Sequence, residues 1–190
     1  MLNEHQGQIL LRLARQTIEE RLGLAATDPV APQELEDPAL QNFQGVFVTL
    51  NKRGMLRGCI GSLQGMESIV DGVRRHAVNA AHDNRFPVLT ADEVEELQID
   101  ISVLTPPQDL EYTDGEDLIR KLRPGTDGVI ISAPGGAGAT FLPQVWEQLP
   151  MPEMFLGHLC RKAGLPDDSW RTGQLGVQIY QVQHFEEPKK

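Results

Sequence analysis

The run Leu56-Arg57-Gly58-Cys59-Ile60-Gly61 sets a thiol and a guanidinium two positions apart in an apolar, strand-like stretch. A strand sends alternate side chains to opposite faces, so Arg57, Cys59 and Gly61 share one face, with Leu56, Gly58 and Ile60 on the other. A thiol reacts as its thiolate, which a fixed positive neighbour stabilises. Arg57 and Cys59 are therefore the candidate catalytic residues. Glycines inside a strand often mark close approach of a ligand or of another backbone, which adds Gly58 and Gly61 as candidate substrate contacts. The competing reading makes Cys59 a small buried filler, because free Cys is among the most buried residue types.

A second group lies at Asp83-Asn84-Arg85-Phe86-Pro87. Arg85 is suited to gripping an anionic group through two N–H donors, with Asp83 orienting it and Phe86 beside it. The alternative for Arg85 is a structural salt bridge beneath the turn. His158 and Cys160 pair a base with a thiol, but two positions apart on a helix they point to different faces and do not share one metal. The Gly135–Gly138 loop lacks the lysine and hydroxyl of a phosphate loop and reads as a hairpin connection. The sequence implies no cofactor and no metal site.

The elements that position these residues follow from periodicity. Residues 4–23 carry Leu10, Leu13, Ala14, Thr17, Ile18 and Leu22 at helical spacing, with Gly23 as a stop. Residues 25–41 hold three prolines and few large apolar side chains, and read as an extended surface connection. Gly45 to Leu63 reads as a β-hairpin turning at Asn51-Lys52-Arg53-Gly54. A three-residue loop with Gly54 left-handed would pair Asn51 with Met55, Thr49 with Arg57 and Phe47 with Cys59. That register groups Phe47, Thr49, Arg57 and Cys59 on one patch, makes Thr49 a hydrogen-bonding candidate, and is broken by a slip of one residue. Residues 67–82 predict a helix, Thr90 and Glu93 a capping box, and residues 98–104 a strand. Beyond Pro106-Pro107 come a helix at 114–122, a strand at 129–131, strand-like 139–142, helical stretches at 144–149 and 153–163, and one closing strand over 176–185. The mixture is α+β.

Bulk composition narrows the class. With 190 residues, 40% hydrophobic and 23% charged, the chain can bury a sizeable core without staples. A net charge of −10 repels a polyanion, so nucleic acid is disfavoured as a partner. No apolar run approaches a membrane span, and the amino terminus lacks the pattern of a secretion signal. The two cysteines, Cys59 and Cys160, lack disulfide-scaffold spacing and read as free thiols of a reducing compartment, hence a cytoplasmic protein. The segment Glu186 to Lys190 reads as a frayed tail.

Together these segments resemble the AMMECR-one domain family. The likeness rests on the run at 56–61, the preceding strand at 45–50, Arg85-Phe86-Pro87, Ser102-Val103-Leu104, residues 140–145, Leu159-Cys160 and residues 162–165. It spans about residues 5–186, leaving 187–190 as a tail. The chain departs from the family's pattern at His82, where an aromatic residue is usual. The resemblance implies an α+β architecture of two interlocked lobes sharing a core, built around antiparallel sheet with flanking helices, and the 56–61 run on a cleft between them. It also implies a pathway shared with Memo-type and radical S-adenosylmethionine proteins, without transferring a cluster to a chain that lacks clustered cysteines. The family carries no settled reaction.

These readings converge on a small-molecule enzyme or enzyme component. Cys59 would serve as nucleophile or redox thiol, Arg57 and Arg85 would hold an anionic substrate, and Thr49 would supply a hydrogen bond. A non-catalytic adaptor using the same surface is the alternative, and a nucleic-acid-associated regulator a third.

Overall fold

The computed structural model describes residues 1–172 and 174–188, and the chain divides into two compact units, residues 1–105 with 183–190 and residues 106–182. Most buried apolar side chains fall into two clusters, one in each unit.

The first unit is a four-stranded sheet backed by two helices. Its strands are β1 (Val46–Lys52), β2 (Met55–Ser62), β3 (Leu97–Leu104) and β8 (Val182–Glu186), in the order β2-β1-β3-β8. Helix α1 (Glu4–Arg21) opens with a capping box between Asn3 and Gln6, and Gly23, at φ 74°, follows its end. Helix α2 (Ile69–Ala81) is capped by Ser68, whose hydroxyl accepts from the Asp71 N–H. Their apolar stripes, including Leu10, Ile18, Val73, Ala77 and Ala80, bury against Val46, Val48, Leu50, Ile99 and Ile101 on the inner face of the sheet. Each such Leu or Ile contributes about 1.5–3 kcal/mol by leaving water. The alternate positions Phe47, Thr49, Asn51, Cys59, Asp100 and Ser102 form the half-buried outer face.

The second unit holds β4 (Gln108–Asp109), β5 (Gly128–Ser132), β6 (Gly138–Phe141) and β7 (Gly176–Tyr180), in the order β4-β7-β5-β6, with α3 (Gly115–Lys121) and α4 (Pro152–Lys162). The glycine-rich loop joins β5 to β6 as a hairpin. Trp146 stacks on Phe155 at 3.7 Å between ring centroids and donates from its indole to the Asp127 carbonyl oxygen at 2.7 Å.

The fold departs from the sequence reading at several points. The predicted closing strand is two strands: β7 pairs with β5, and β8 joins the first sheet beside β3. The stretch Gln178 to Phe185 has uniform strand propensity and no Gly or Pro to mark the break at Gln181. The stretches Ala91–Glu96 and Pro143–Glu147 are short 3₁₀ turns, too brief for the α-helical ladder to nucleate. The tail is tied down as far as Glu187, which takes the Arg15 guanidinium on both carboxylate oxygens at 2.6 Å and donates its N–H to the Ile99 carbonyl at 3.0 Å. Lys189 and Lys190 lie outside the described residues.

Candidate functional site

The hairpin turns more tightly than the sequence predicts. Lys52 pairs with Met55, leaving a two-residue loop of Arg53 and Gly54, both left-handed at φ 51° and 77°. This advances the register by one residue. A bulge advances it by another, because Leu50 opposes Gly58 while Asn51 opposes Leu56, with Arg57 as the extra residue. The result pairs Thr49 with Cys59 and Phe47 with Gly61, two residues away from the predicted alignment. A shift of two preserves the side-chain alternation, so Phe47, Thr49, Cys59 and Gly61 still share the outer face.

Thr49 and Cys59 form a non-hydrogen-bonded pair, the kind whose side chains stand closest. The Thr49 hydroxyl donates to the Cys59 sulfur at 3.2 Å. The backbone N–H and C=O of Cys59 point away from β1, off the edge of the sheet, and both are occupied. The N–H donates to Asp83 Oδ2 at 3.0 Å, and the carbonyl accepts from Arg85 Nη2 at 3.1 Å.

Asp83 follows α2 in a turn closed by its own carboxylate, which accepts the Arg85 N–H at 3.1 Å. It also takes Arg85 Nε at 3.0 Å and Nη2 at 2.6 Å. The Arg85 side chain first, and then the Cys59 amide, hold the buried Asp83 carboxyl well below the ordinary carboxylate range. Arg85 is raised in turn, chiefly by its hydrogen bonds to Asp83, with a smaller contribution from Cys59. Its side chain remains 54% exposed, and its guanidinium carbon stands 5.6 Å from the centre of the Phe86 ring.

Arg57 is placed differently from its expected role beside the thiol. From the bulge its fork closes on Glu93, Nε to Oε1 at 3.1 Å and Nη2 to Oε2 at 2.9 Å, with 12% of the side chain exposed. Lys52 shares the same carboxylate at 2.9 Å, and the Thr90 amide donates to it at 3.2 Å in the predicted capping box. Arg57 above all, then Lys52 and the Thr90 amide, hold Glu93 well below the carboxylate range, and burial opposes them. The guanidinium is thus spent in tying β2 to the turn before β3.

The two hallmark glycines are spacers for the chain's own atoms. A side chain on Gly58 would collide with the Ala80 carbonyl oxygen of α2, and one on Gly61 with the Phe47 ring and the Val46 carbonyl oxygen. The site therefore brings together Cys59, Thr49, Asp83, Arg85 and Phe86, and leaves Arg57 engaged elsewhere. Asp100 was passed over in the sequence as an ordinary polar position of a half-buried strand. It lies directly opposite Thr49 on β3 and accepts from Asn51 Nδ2 at 3.3 Å. Burial first and the nearby Glu186 second push its carboxyl up, while His184 and the Asn51 hydrogen bond partly offset them.

Cys160 is wholly buried in the second unit, where burial pushes its thiol up, while His158 is exposed. Among the described residues, no group of three or more His, Cys, Asp or Glu side chains is arranged to hold a metal ion, and no helix is long and apolar enough to cross a membrane.

Comparison with known proteins agrees with this architecture. The chain is 38% identical to a protein of Thermofilum pendens over 98% of its own length and 92% of that protein's. It is also 38% identical to a protein of Methanothermobacter thermautotrophicus, covering 98% and 96% of the two chains. The crystal structure of an uncharacterised protein from Pyrococcus horikoshii superimposes with a TM-score of 0.78 at 36% identity, over 98% of this chain and 93% of that one. The sequence profile of the AMMECR1 family matches residues 11–185, and the chain belongs to that family.

Proposed function

We propose that the protein acts on a small anionic molecule, as an enzyme or a component of one, at the outer face of the first sheet. In this reading Cys59 is the nucleophile, Thr49 hydrogen-bonds its sulfur, and Arg85 holds the anion. The observation that carries it is the 3.2 Å contact from the Thr49 hydroxyl to the Cys59 sulfur, at the point where Asp83 and Arg85 clamp the Cys59 backbone. A hydroxyl donor stabilises negative charge developing on sulfur, and the clamp fixes the sulfur's direction. Arg57, fully engaged by Glu93, serves to hold the hairpin in register.

The test is alkylation by iodoacetamide, which reads Cys59 because Cys160 is wholly buried. A hydrogen bond to a charged group contributes roughly 1.5 kcal/mol or more, so Thr49→Val should slow alkylation about tenfold. A thermal-shift screen of small anions should yield at least one stabilising ligand whose effect is lost in Arg85→Ala and Cys59→Ser. Alkylation unchanged in Thr49→Val, with no Arg85-dependent anion, refutes the reading.

A second reading is favoured by the exposure of Met55 and Leu56 at the hairpin end, 70% and 44%. Apolar side chains in that position suit contact with a partner chain, and the family resemblance nominates Memo-type and radical S-adenosylmethionine proteins in the cytoplasm. Recovery of such a protein with wild type, and its loss with Met55→Asp, is the corresponding test.

A further inference from the structure

A nucleophilic thiol needs a group to take its proton, and three carboxyls are candidates: Asp83, bonded to Cys59 itself, Glu93, bonded to Arg57, and Asp100, opposite Thr49. Asp83 already accepts the Cys59 amide and three donors of Arg85. Glu93 already accepts Arg57, Lys52 and Thr90. Both are neutralised by the cations that grip them, and neither retains the basicity to accept a proton. Asp100 differs in every respect. Among the described residues no salt bridge reaches it, the neutral Asn51 amide donates to it, and from β8 the charges of Glu186 and His184 act on it in opposite senses. On its own strand the outer-face neighbours are Gln98 and Ser102, the latter hydrogen-bonded to His184 at 3.0 Å.

The three residues form a row across the sheet: Cys59 on β2, Thr49 on β1 and Asp100 on β3 are directly opposed in both ladders. Directly opposed positions place their Cβ atoms about 5 Å apart, so a rotation about the Thr49 side chain turns its hydroxyl from the sulfur toward the carboxylate.

Resting on the reading of Cys59 as nucleophile, we propose that Asp100 is the proton acceptor of this site and Thr49 its relay. The S–H bond of Cys59 breaks and its proton passes to Thr49 Oγ1, whose own hydroxyl proton passes to the Asp100 carboxylate. The electron pair left on sulfur forms the bond to an electrophilic, doubly bonded carbon of the substrate, and the π pair of that bond moves to its heteroatom. Reversal returns the proton by the same path. Its half-burial and the like charge of Glu186 keep Asp100 basic enough for the task.

The experiment is the pH–rate profile of iodoacetamide alkylation for wild type, Asp100→Asn and Asp100→Glu. Charge alone predicts that removing the Asp100 carboxylate favours a nearby thiolate and speeds alkylation. The relay predicts the opposite: Asp100→Asn slows alkylation at neutral pH by roughly ten- to a hundredfold and moves the profile to higher pH, while Asp100→Glu recovers part of the rate. An Asp100→Asn rate equal to or above that of wild type overturns the proposal. If Asp100→Asn does not fold, Glu186→Gln, at an exposed position, replaces it: slower alkylation supports the relay, and unchanged or faster alkylation overturns it. Slower alkylation in Thr49→Val with no fall in Asp100→Asn removes the relay alone. No effect of either overturns the relay, and together with the absence of any Arg85-dependent anion it removes the nucleophile reading as well.

Discussion

Gly58→Ala tests the placement of the site most directly. A methyl group there would stand within 3.0 Å of the Ala80 carbonyl oxygen, closer than real carbon atoms approach, and 3.6 Å from the Asp83 Cβ. Restoring an ordinary contact of about 3.5 Å requires strand and helix to part by about 1 Å. Overpacking of this kind costs about 1–3 kcal/mol. The Ala80 oxygen also accepts the Asp83 N–H at 3.3 Å, and Asp83 in turn carries the Cys59 amide, so weakening this chain adds about 1 kcal/mol. We expect Gly58→Ala to lose about 2–4 kcal/mol of stability. Gly72→Ala, in the first turn of α2, is the matched control. Its new methyl would meet Val46 at 3.6 Å, an ordinary contact, and should stabilise by about 0.5–1 kcal/mol through helix propensity. Both tryptophans and both tyrosines lie in residues 106–182, so far-UV circular dichroism or hydrogen exchange, rather than fluorescence, should follow urea unfolding of the first unit. Equal stability of Gly58→Ala and wild type would mean that α2 and β2 do not approach as described.

Three further outcomes are expected. Arg57→Ala should cost about 1–3 kcal/mol by unpinning β2 from Glu93, yet change Cys59 alkylation less than threefold; a tenfold fall would restore Arg57 to the thiol's environment. His76 is buried in α2 and lowered from 6.5, first by burial and then by Arg75, whose Nη2 donates to its Nε2 at 3.2 Å. The unfolded chain therefore takes up the His76 proton at higher pH than the folded one, so stability present above pH 6.5 is lost as pH falls below it. Urea titrations at pH 7 and pH 5 should show a smaller loss for His76→Met than for wild type, and equal losses would refute the assignment. Glu187→Ala should destabilise by about 1.5–3 kcal/mol, since it strips the Arg15 guanidinium of both carboxylate bonds; an unchanged urea midpoint would show that the tail contributes nothing.

Much of this architecture was legible in the sequence because local rules and burial agree there. Alternation in Val46 to Leu50 and in Leu97 to Val103, the helical stripe of α2 and the Thr90–Glu93 box all appear where periodicity and capping chemistry place them. The bulge at Arg57 left no mark, because Leu, Arg and Gly fit either an even ladder or a bulged one. The capture of Arg57 by Glu93 joins residues 36 apart, and no local pattern encodes such a pairing. Asp100 was hidden for the opposite reason: a polar residue between Ile99 and Ile101 is the ordinary signature of a half-exposed strand. Only its ladder partner and its neighbours on β8 set it apart.

The clamp on Cys59 has a consequence for solubility. β2 is an edge strand, and a bare edge is a template onto which another chain's strand can add. Asp83 and Arg85 occupy the outward N–H and C=O of Cys59, taking the hydrogen bonds that an intruding strand would make. The residue proposed to hold the anion is therefore also a guard against aggregation. Stripping it away would expose sticky backbone at the same time as it removes a binding group, so a loss of ligand in Arg85→Ala has meaning only beside a sedimentation profile showing the variant still monodisperse. The same coupling limits evolution: the arginine can be retuned for a new ligand only by changes that keep the edge covered.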